Sequence, residues 1–504
     1  MTKCHIFIKL CLFLSILFNT TAFAEQHATI IFDAQRPIIN DIRKGSYAQL
    51  ASLLNQERRN NLSTFFIFGG ESLGPSMMSF MDRGAHIIDI LNSLEPDAMG
   101  ISKREFAFQE DELIIRSYEA AFPMVSSSLY DPLSQSAPDG ILPYKVLKKG
   151  NVKLGFISAL DPSKMEKYPV KRFQIIPPVE AITQAAAALK EHNVDLVILH
   201  YSDYMPVVNN LLEQGVVDVA LFKDEYFQQN PYSHQQRHPN NIVIDESKNA
   251  DVIQLSWQQD NPKDSLKINT NEVDLTALYF QPAVLQQVQE YDKRLDILLE
   301  EKIGKTTARI DLHRKTLRTS ENSFANVVVD TLKDFTNAHL SLVNSGTIRS
   351  DTSFQANTEL TRKDFLTMLP YRNNLVLLEV TGQQIIDALE HGLGKIESTS
   401  GRYLQVSGIT VKYDSTQPAG KRLISVHMNG NQLVPTQSYR LATLDYLYKG
   451  GDGYTMLKTS KSLSFKQTSS LLFSDIVIAA VQKKGIISPY TDGRIENIAV
   501  KTTQ

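Results

Sequence analysis

The stretch NSGTIRSD, residues 344–351, sets a glycine close to an arginine, and two later runs repeat the combination of glycine with a cation or an aromatic ring: SGRYLQVSG at 400–408 and YKGGDGYTML at 448–457. Glycine permits tight turns and close backbone approach. Arg349 and Arg402 can fork onto phosphate or ribose oxygens. Tyr403 and Tyr454 can sandwich a flat base, an interaction worth ~1–3 kcal/mol per base. Taken singly, each run reads as an ordinary turn beside a half-buried tyrosine.

The flanking segments mix helix and strand. FANVVVDTLKDF (324–335) reads as a helix, and LVLLEV (375–380), ITVKY (409–413) and LISVHM (423–428) read as strands. Upstream, PAVLQQVQEYDKRLDILLEEKIGK (282–305) opens with a proline and then repeats apolar residues at Val284, Val288, Tyr291, Leu295 and Leu298, the stripe of an amphipathic helix. From residue 28 to about 274, short β-branched and aromatic runs alternate with helical stretches. ATIIF (28–32), TFFIF (64–68), VKLGFISAL (152–160), VDLVILH (194–200) and VDVALF (217–222) are predicted strands; 47–59, 85–94 and 178–193 are predicted helices. Such alternation indicates a layered α/β domain. The polar run QQNPYSHQQRHP (228–239) carries His234 and His238 four apart, but its prolines favour a solvated loop over a metal site.

Residues 1–24 read as a signal peptide: Lys3 and Lys9, the apolar run 10–18, then the small-residue site Ala22-Phe23-Ala24. An exported protein is expected, periplasmic or extracellular. Both cysteines, Cys4 and Cys11, fall in that segment, which excludes disulfides and thiolate chemistry from the mature chain. A net charge of −3 argues against a nucleic-acid partner, and no later apolar run is long enough for a membrane span. There is no Gly-x-Ser-x-Gly nucleophile turn and no Gly-x-x-x-x-Gly-Lys-Ser/Thr phosphate loop.

In this order, the three glycine-rich runs resemble the C-terminal domain of the 5'-nucleotidase family. The family's Asn-Gly-Gly-Gly-Ile-Arg stands here as Asn344 to Arg349, its Leu-Pro-Phe-Gly-Asn as LPYRN (369–373), its Phe-Leu-Gln-Val-Ser-Gly as Tyr403 to Gly408, and its Gly-Gly-Asp-Gly-Phe/Tyr as Gly450 to Tyr454; LRTSENSFANVVVD (317–330) matches the segment that opens the domain. The resemblance implies a nucleotide or nucleoside ligand, with Tyr403 and Tyr454 clamping the base. It places Arg349 and Arg402 near ribose or phosphate and makes Asn344, Asn373, Gly451 and Asp452 further binding residues. It also implies an α/β architecture of a four-layer α/β/β/α metallophosphatase-like domain (25–275), a connecting helix (276–305) and an α+β C-terminal domain (306–504).

In that family two divalent metals in the N-terminal domain activate water and stabilise charge on phosphate. The positions that carry the ligands read differently here. The first-strand Asp and His fall at Gln35 and Pro37, the bridging Asp at Glu71, the Asn-His pair at Lys103 and Arg104, the next Asp at Ala107, the next His near Ser202, and the last His pair at Asp224 and Tyr226. An ammonium 4 Å from a dication repels it by roughly 8 kcal/mol at an effective dielectric near 20. Lys103 and Arg104 are therefore expected to pair with Glu71 or Asp224, or to bind phosphate themselves. The reading is a nucleotide-binding relative without dimetal hydrolysis, with no catalytic residue assigned. Its alternative is a remodelled centre in which Asp33, Glu71, His200, Asp203 and Asp224 hold one Mg, Mn or Zn ion.

Overall fold

The computed structural model describes residues 25–168, 170–232, 236–349, 351–465 and 472–499. The expected signal peptide and His234 lie outside them. The chain divides into two compact units at Leu295/Asp296.

The first unit is built on two sheets. One has seven strands in the order Lys267–Asp274, Asn249–Gln258, Glu25–Asp33, Thr64–Phe68, Ala98–Gly100, Met124–Val125 and Ile141–Leu142; the strands from Glu25–Asp33 onward run parallel. The other has five: Asn241–Ile244, Val219–Lys223, Leu196–Tyr201, Val152–Ala159 and Lys145–Lys149, all parallel except the last. TFFIF is apolar throughout because both of its faces are covered. Phe65 and Ile67 point into the layer between the sheets, with Phe32, Phe156, Ile198, Leu221 and Trp257. Phe66 and Phe68 point out under the helices Tyr47–Asn60 and Ala85–Leu94. On the far side, Ile182, Ala185 and Leu189 of the helix Pro178–Lys190 pack on Ile157, Val197 and Leu199. The result is the expected α/β/β/α stack. Ser46 starts the first helix with a reciprocal cap, its hydroxyl accepting from the Gln49 amide while the Gln49 side chain takes the Ser46 amide.

The helix at Pro282 ends at Leu299, earlier than its sequence pattern extends, and Lys302–Thr306 is a strand pairing with Glu359–Thr361 and Ile486–Ile487. The apolar stripe stops at Leu299, and Ile303 with Gly304 serves the sheet instead. The second unit centres on a five-stranded sheet ordered Leu404–Ser407, Leu340–Asn344, Ser438–Leu444, Leu375–Thr381 and Lys461–Leu463. Alternation along Leu340–Asn344 gives it two covered faces: Leu342 shares a core with Ile385 and Leu389 of the helix Gly382–Leu393, whereas the Ser341 hydroxyl donates to the Val329 carbonyl in the helix Ser323–Thr336 at 2.6 Å. A four-stranded sheet made of Asn431–Gln432, Leu423–Met428, Thr410–Tyr413 and Ile495–Asn497 completes it. Among the described residues no helix is long and apolar enough to cross a membrane.

The same alternation fixes His200. Leu196 and Ile198 of its strand face the layer between the sheets, so His200 does too. Its ring lies between Gly69 and Gly100, 5.9 Å from the Phe32 ring centre, with Nδ1 2.9 Å from the Ser158 hydroxyl. Burial holds its pKa down, to about 3, so it is neutral. A Cβ at Gly100 would collide with this imidazole. Gly100→Ala is expected to destabilise the first unit by about 1–3 kcal/mol, the cost of overpacking a core, read as a lowered urea midpoint.

Candidate functional site

Ligands of parallel α/β sheets bind outside the carboxyl ends of the strands. At that edge of the first unit five loops converge, following Asp33, Phe68, Gly100, Tyr201 and Lys223. Gln35 and Glu71 both hold left-handed backbone (φ 60° each), a conformation that non-glycine residues seldom adopt.

The side chains at this edge pair with one another. Asp33 is fully buried between the Arg36 guanidinium and the Lys223 ammonium, whose Nζ lies 2.7 Å from Oδ1 and also donates to the Asn249 carbonyl at 2.6 Å. Burial opposes ionisation of Asp33, but the two cations outweigh it and hold its pKa below the usual carboxylate value. The same burial pushes Lys223 down to about 8. Arg36 is further tied to the carbonyls of Lys44 and Gly45, at 2.6 and 3.0 Å. Glu71 faces Lys103 Nζ at 3.2 Å and Arg104 Nε at 3.6 Å, and accepts the Arg104 amide at 3.2 Å. Lys103 also pairs with Asp203; burial disfavours its charge, yet Glu71 and Asp203 prevail and raise it to about 12.

Glu105 is the hub of the loop backbone. Its buried carboxylate accepts the amides of Glu71, Ser72 and Ser102, each at 2.9 Å, and of Leu73 at 3.3 Å. Gly70 (φ +71°) makes this possible, because a Cβ there would stand 2.8 Å from Glu105 Oε2. Burial, reinforced by Glu71, moves the Glu105 pKa up to about 7 against the pull of the amides.

The glycine-rich runs of the second unit also meet. Gly346 and Gly401 approach each other, the Gly346 amide donating to the Gly401 carbonyl at 2.7 Å, and a Cβ on Gly401 would stand 2.9 Å from Gly346 Cα. Asn344 Nδ2 donates to Asp452 Oδ2 at 2.8 Å and its Oδ1 accepts the Thr347 hydroxyl at 2.6 Å. Gly450, Asp452 and Gly453 all have positive φ, which turns the chain tightly under Tyr446. Arg349 is exposed with its guanidinium 5.4 Å from the centre of the Tyr371 ring. Asn373 is partly buried and its carbonyl accepts the Phe473 amide at 3.1 Å.

Residues 302–459 match the family described as "5'-nucleotidase, C-terminal domain". The chain carries a 5'-nucleotidase C-terminal domain. It is 24% identical to the snake venom 5'-nucleotidase of Naja atra over 496 residues, covering 90% of this chain and 92% of that protein. It is 23% identical to the human 5'-nucleotidase, covering 90% of this chain and 85% of that protein. A solved structure of a putative 5'-nucleotidase from Staphylococcus aureus, in complex with alpha-ketoglutarate, shares the fold with a TM-score of 0.62 at 15% identity, covering 94% of this chain and all of that one.

A metal centre of the kind used by 5'-nucleotidases does not fit the residues at this edge. Among the described residues no three or more His, Cys, Asp or Glu side chains converge to hold an ion. The single-metal set expected from the sequence does not assemble either. Asp33 is enclosed by two cations, His200 is a neutral histidine of the core, Glu71 and Asp203 share Lys103, and Asp224 accepts the Tyr226 amide at 2.9 Å in a local turn. Lys103 and Arg104 do pair with Glu71 as expected, but the further partner is Asp203, not Asp224. Ala107 caps the short turn of 103–106 through its backbone. Arg36 and Lys223 escaped the sequence reading. Lys223 directly follows the predicted strand 217–222, where an apolar neighbourhood hides a charge, and its partner is 190 residues away.

The base clamp also requires correction. Tyr403 is buried against Leu393, Ile396 and Tyr413; Tyr454 is buried with its hydroxyl donating to the Arg402 carbonyl and its ring edge-on to His391 at 4.9 Å. Neither presents a face to a ligand in this structure, because each side chain completes an apolar cluster. Tyr371 and Tyr446, by contrast, are left at the surface. Both lie in or beside the quoted motifs, but exposure is a tertiary property.

Lys223→Met is expected to leave Asp33 under-compensated and to destabilise the first unit by about 3–5 kcal/mol, the usual cost of removing one member of a buried pair; urea denaturation measures it. The pH dependence has a worked sign. Glu105 and Asp251 are both raised to about 7, chiefly by burial, from 4.5 and 3.8. The folded state therefore holds protons that the unfolded state has released, and stability falls as pH rises from about 4 through 7. Asp33, being lowered, loses its contribution only as pH drops below its unfolded value of 3.8. The urea midpoint should be higher at pH 5.5 than at pH 8, with a shallower slope in Asp251→Asn.

Proposed function

We propose that this chain is a member of the 5'-nucleotidase family, an exported nucleotide- or nucleoside-binding protein in which dimetal phosphoester hydrolysis has been lost. Export rests on the sequence of residues 1–24 alone. Ligand binding rests on the family's C-terminal domain at 302–459 and on the meeting of its glycine-rich runs, Asn344 with Asp452 and Gly346 with Gly401. Loss of hydrolysis rests on one observation: the carboxylates at the strand ends are compensated from within. Asp33, Glu71 and Asp203 meet Arg36, Lys223, Lys103 and Arg104, and Glu105 meets four amides.

Compensation of this kind competes with a metal twice over. A dication would have to displace cations already in contact with their carboxylates, and the displaced ammonium and guanidinium groups would then be left beside it. Neither Arg36 nor Lys223 has room to leave, being 3% exposed each. Binding is thus assigned to the second unit, and Asp33, Glu71 and Asp203 of the first are engaged by cations rather than open to a metal or water.

Isothermal titration of the purified protein with adenosine and AMP should give saturable binding, and a nucleotide should raise the melting temperature as RT ln(1 + [L]/Kd) requires. Phosphate release from AMP should be the same with Mg, Mn or Zn as with EDTA. Absence of binding at millimolar ligand would overturn the binding half, and metal-dependent turnover the other.

A further inference from the structure

Lys267–Asp274 is the outer strand of the seven-stranded sheet and pairs on one side only, with Asn249–Gln258. The register of that antiparallel pair sets Asp251 directly opposite Glu272. Carboxylates in this relation stand about 5 Å apart at Cβ and destabilise the ladder when both are ionised. They also share a face. Ile253, Leu255 and Trp257 point into the layer between the sheets while Val252 points away, and Ile268, opposite Leu255, packs on the same layer, so Asp251 and Glu272 turn toward it as well.

The two acids differ in what surrounds them. Asp251 is 1% exposed, and its Oδ1 is buried with no hydrogen-bond partner. An ionised carboxylate in that state keeps a bare oxygen away from water, which a buried charge seldom sustains. Glu272 is exposed at the margin of the layer, and its Oε2 accepts the Asn249 side-chain amide at 2.8 Å. That contact fixes one oxygen and leaves the other to accept a proton donor.

The remaining charges do not neutralise the pair. Lys223 reaches the Asn249 carbonyl, two residues from Asp251, but its ammonium is committed to Asp33 at 2.7 Å, and Asp33 is held on its other side by Arg36. Asp245 adds a further carboxylate beside Ile244, the partner of Lys223 in the second sheet, and accepts from Gln228. On the outer strand Asp274 pairs with Lys248 at 2.8 Å. Burial first, then Glu272, pushes the Asp251 pKa up to about 7 against the pull of Lys223.

We infer that Asp251 and Glu272 hold one proton between them, the Asp251 carboxyl donating to Glu272, and that this proton latches the outer strand Lys267–Asp274 to the sheet. Its loss to solvent sets two ionised carboxylates against each other across the ladder. The outer strand, with no neighbour on its far side, then opens before the strands inside it. The closed strand keeps a proton that the open one, with its carboxyls in water, releases above about pH 4; opening is therefore favoured as pH rises from about 4 to about 7 and levels off above, where both states are ionised.

Amide exchange of the full chain, followed by mass spectrometry and corrected for the intrinsic rate at each pH, reads opening strand by strand. Protection of residues 268–273 should fall about ten-fold per pH unit between pH 5 and 6.5, the slope of a single proton. Glu272→Gln should flatten that slope and leave the strand better protected than the parent at pH 8, because a carboxamide can donate to ionised Asp251. Asp251→Asn should flatten it too, and the exposed position of Glu272 keeps the test open should the buried variant fail to fold. Protection of this strand that does not change with pH in the parent, or the parent's slope persisting in Glu272→Gln, overturns the latch.

Discussion

The contact between the Lys223 ammonium and the Asp33 carboxylate, closed on the other side by Arg36, is the constraint on which the carboxyl edge of the first unit depends. Asp33 ends the first strand with no access to solvent, and an ionised carboxylate in such a place is tolerable only with paired charge and satisfied hydrogen bonds. Lys223 reaches it from the second sheet, so one ion pair joins the two sheets at the end where the layer between them opens. The geometry repeats with different partners a few residues away. Lys103 bridges Glu71, behind the seven-stranded sheet, to Asp203, behind the five-stranded one. In both cases a side-chain cation stands where oxygen ligands of two sheets come together.

Glu105 shows how the backbone of these loops keeps its shape. Four amides from two loops, Glu71 to Leu73 and Ser102, converge on its carboxylate, and the left-handed conformations at Gly70 and Glu71 turn the first three inward. The loops at this edge thus keep their shape through Glu105, and the carboxylates beside it are held by cations of the same chain.

The second unit follows a different logic. Its glycines permit close approach between main chains, Gly346 against Gly401, and between main chain and ring, Gly451 against Tyr446. Burial of Tyr403 and Tyr454 uses the apolar part of each ring in the core. Outside, the Arg349 guanidinium lies against the Tyr371 ring and the Tyr446 hydroxyl holds Asp452.

Local chemistry in the sequence was sufficient for the layers. TFFIF and VDLVILH are mostly apolar runs that read as buried strands, 47–59 reads as a helix, and Lys103-Arg104 stand out as paired cations at a strand end. The glycine runs announced the family. What pattern alone could not supply was pairing across the chain. Asp33 and Lys223 are 190 residues apart and Lys103 and Asp203 a hundred, and nothing within either segment names its partner. Nor does a motif say which side of a turn a tyrosine takes: Tyr403 and Tyr454 sink while Tyr371 and Tyr446 stay out, because that choice depends on which apolar surfaces neighbouring elements leave uncovered. Short-range periodicity determines which segments become strands and helices; charge compensation and exposure are sums over neighbours brought from far along the chain, and only the folded arrangement decides them.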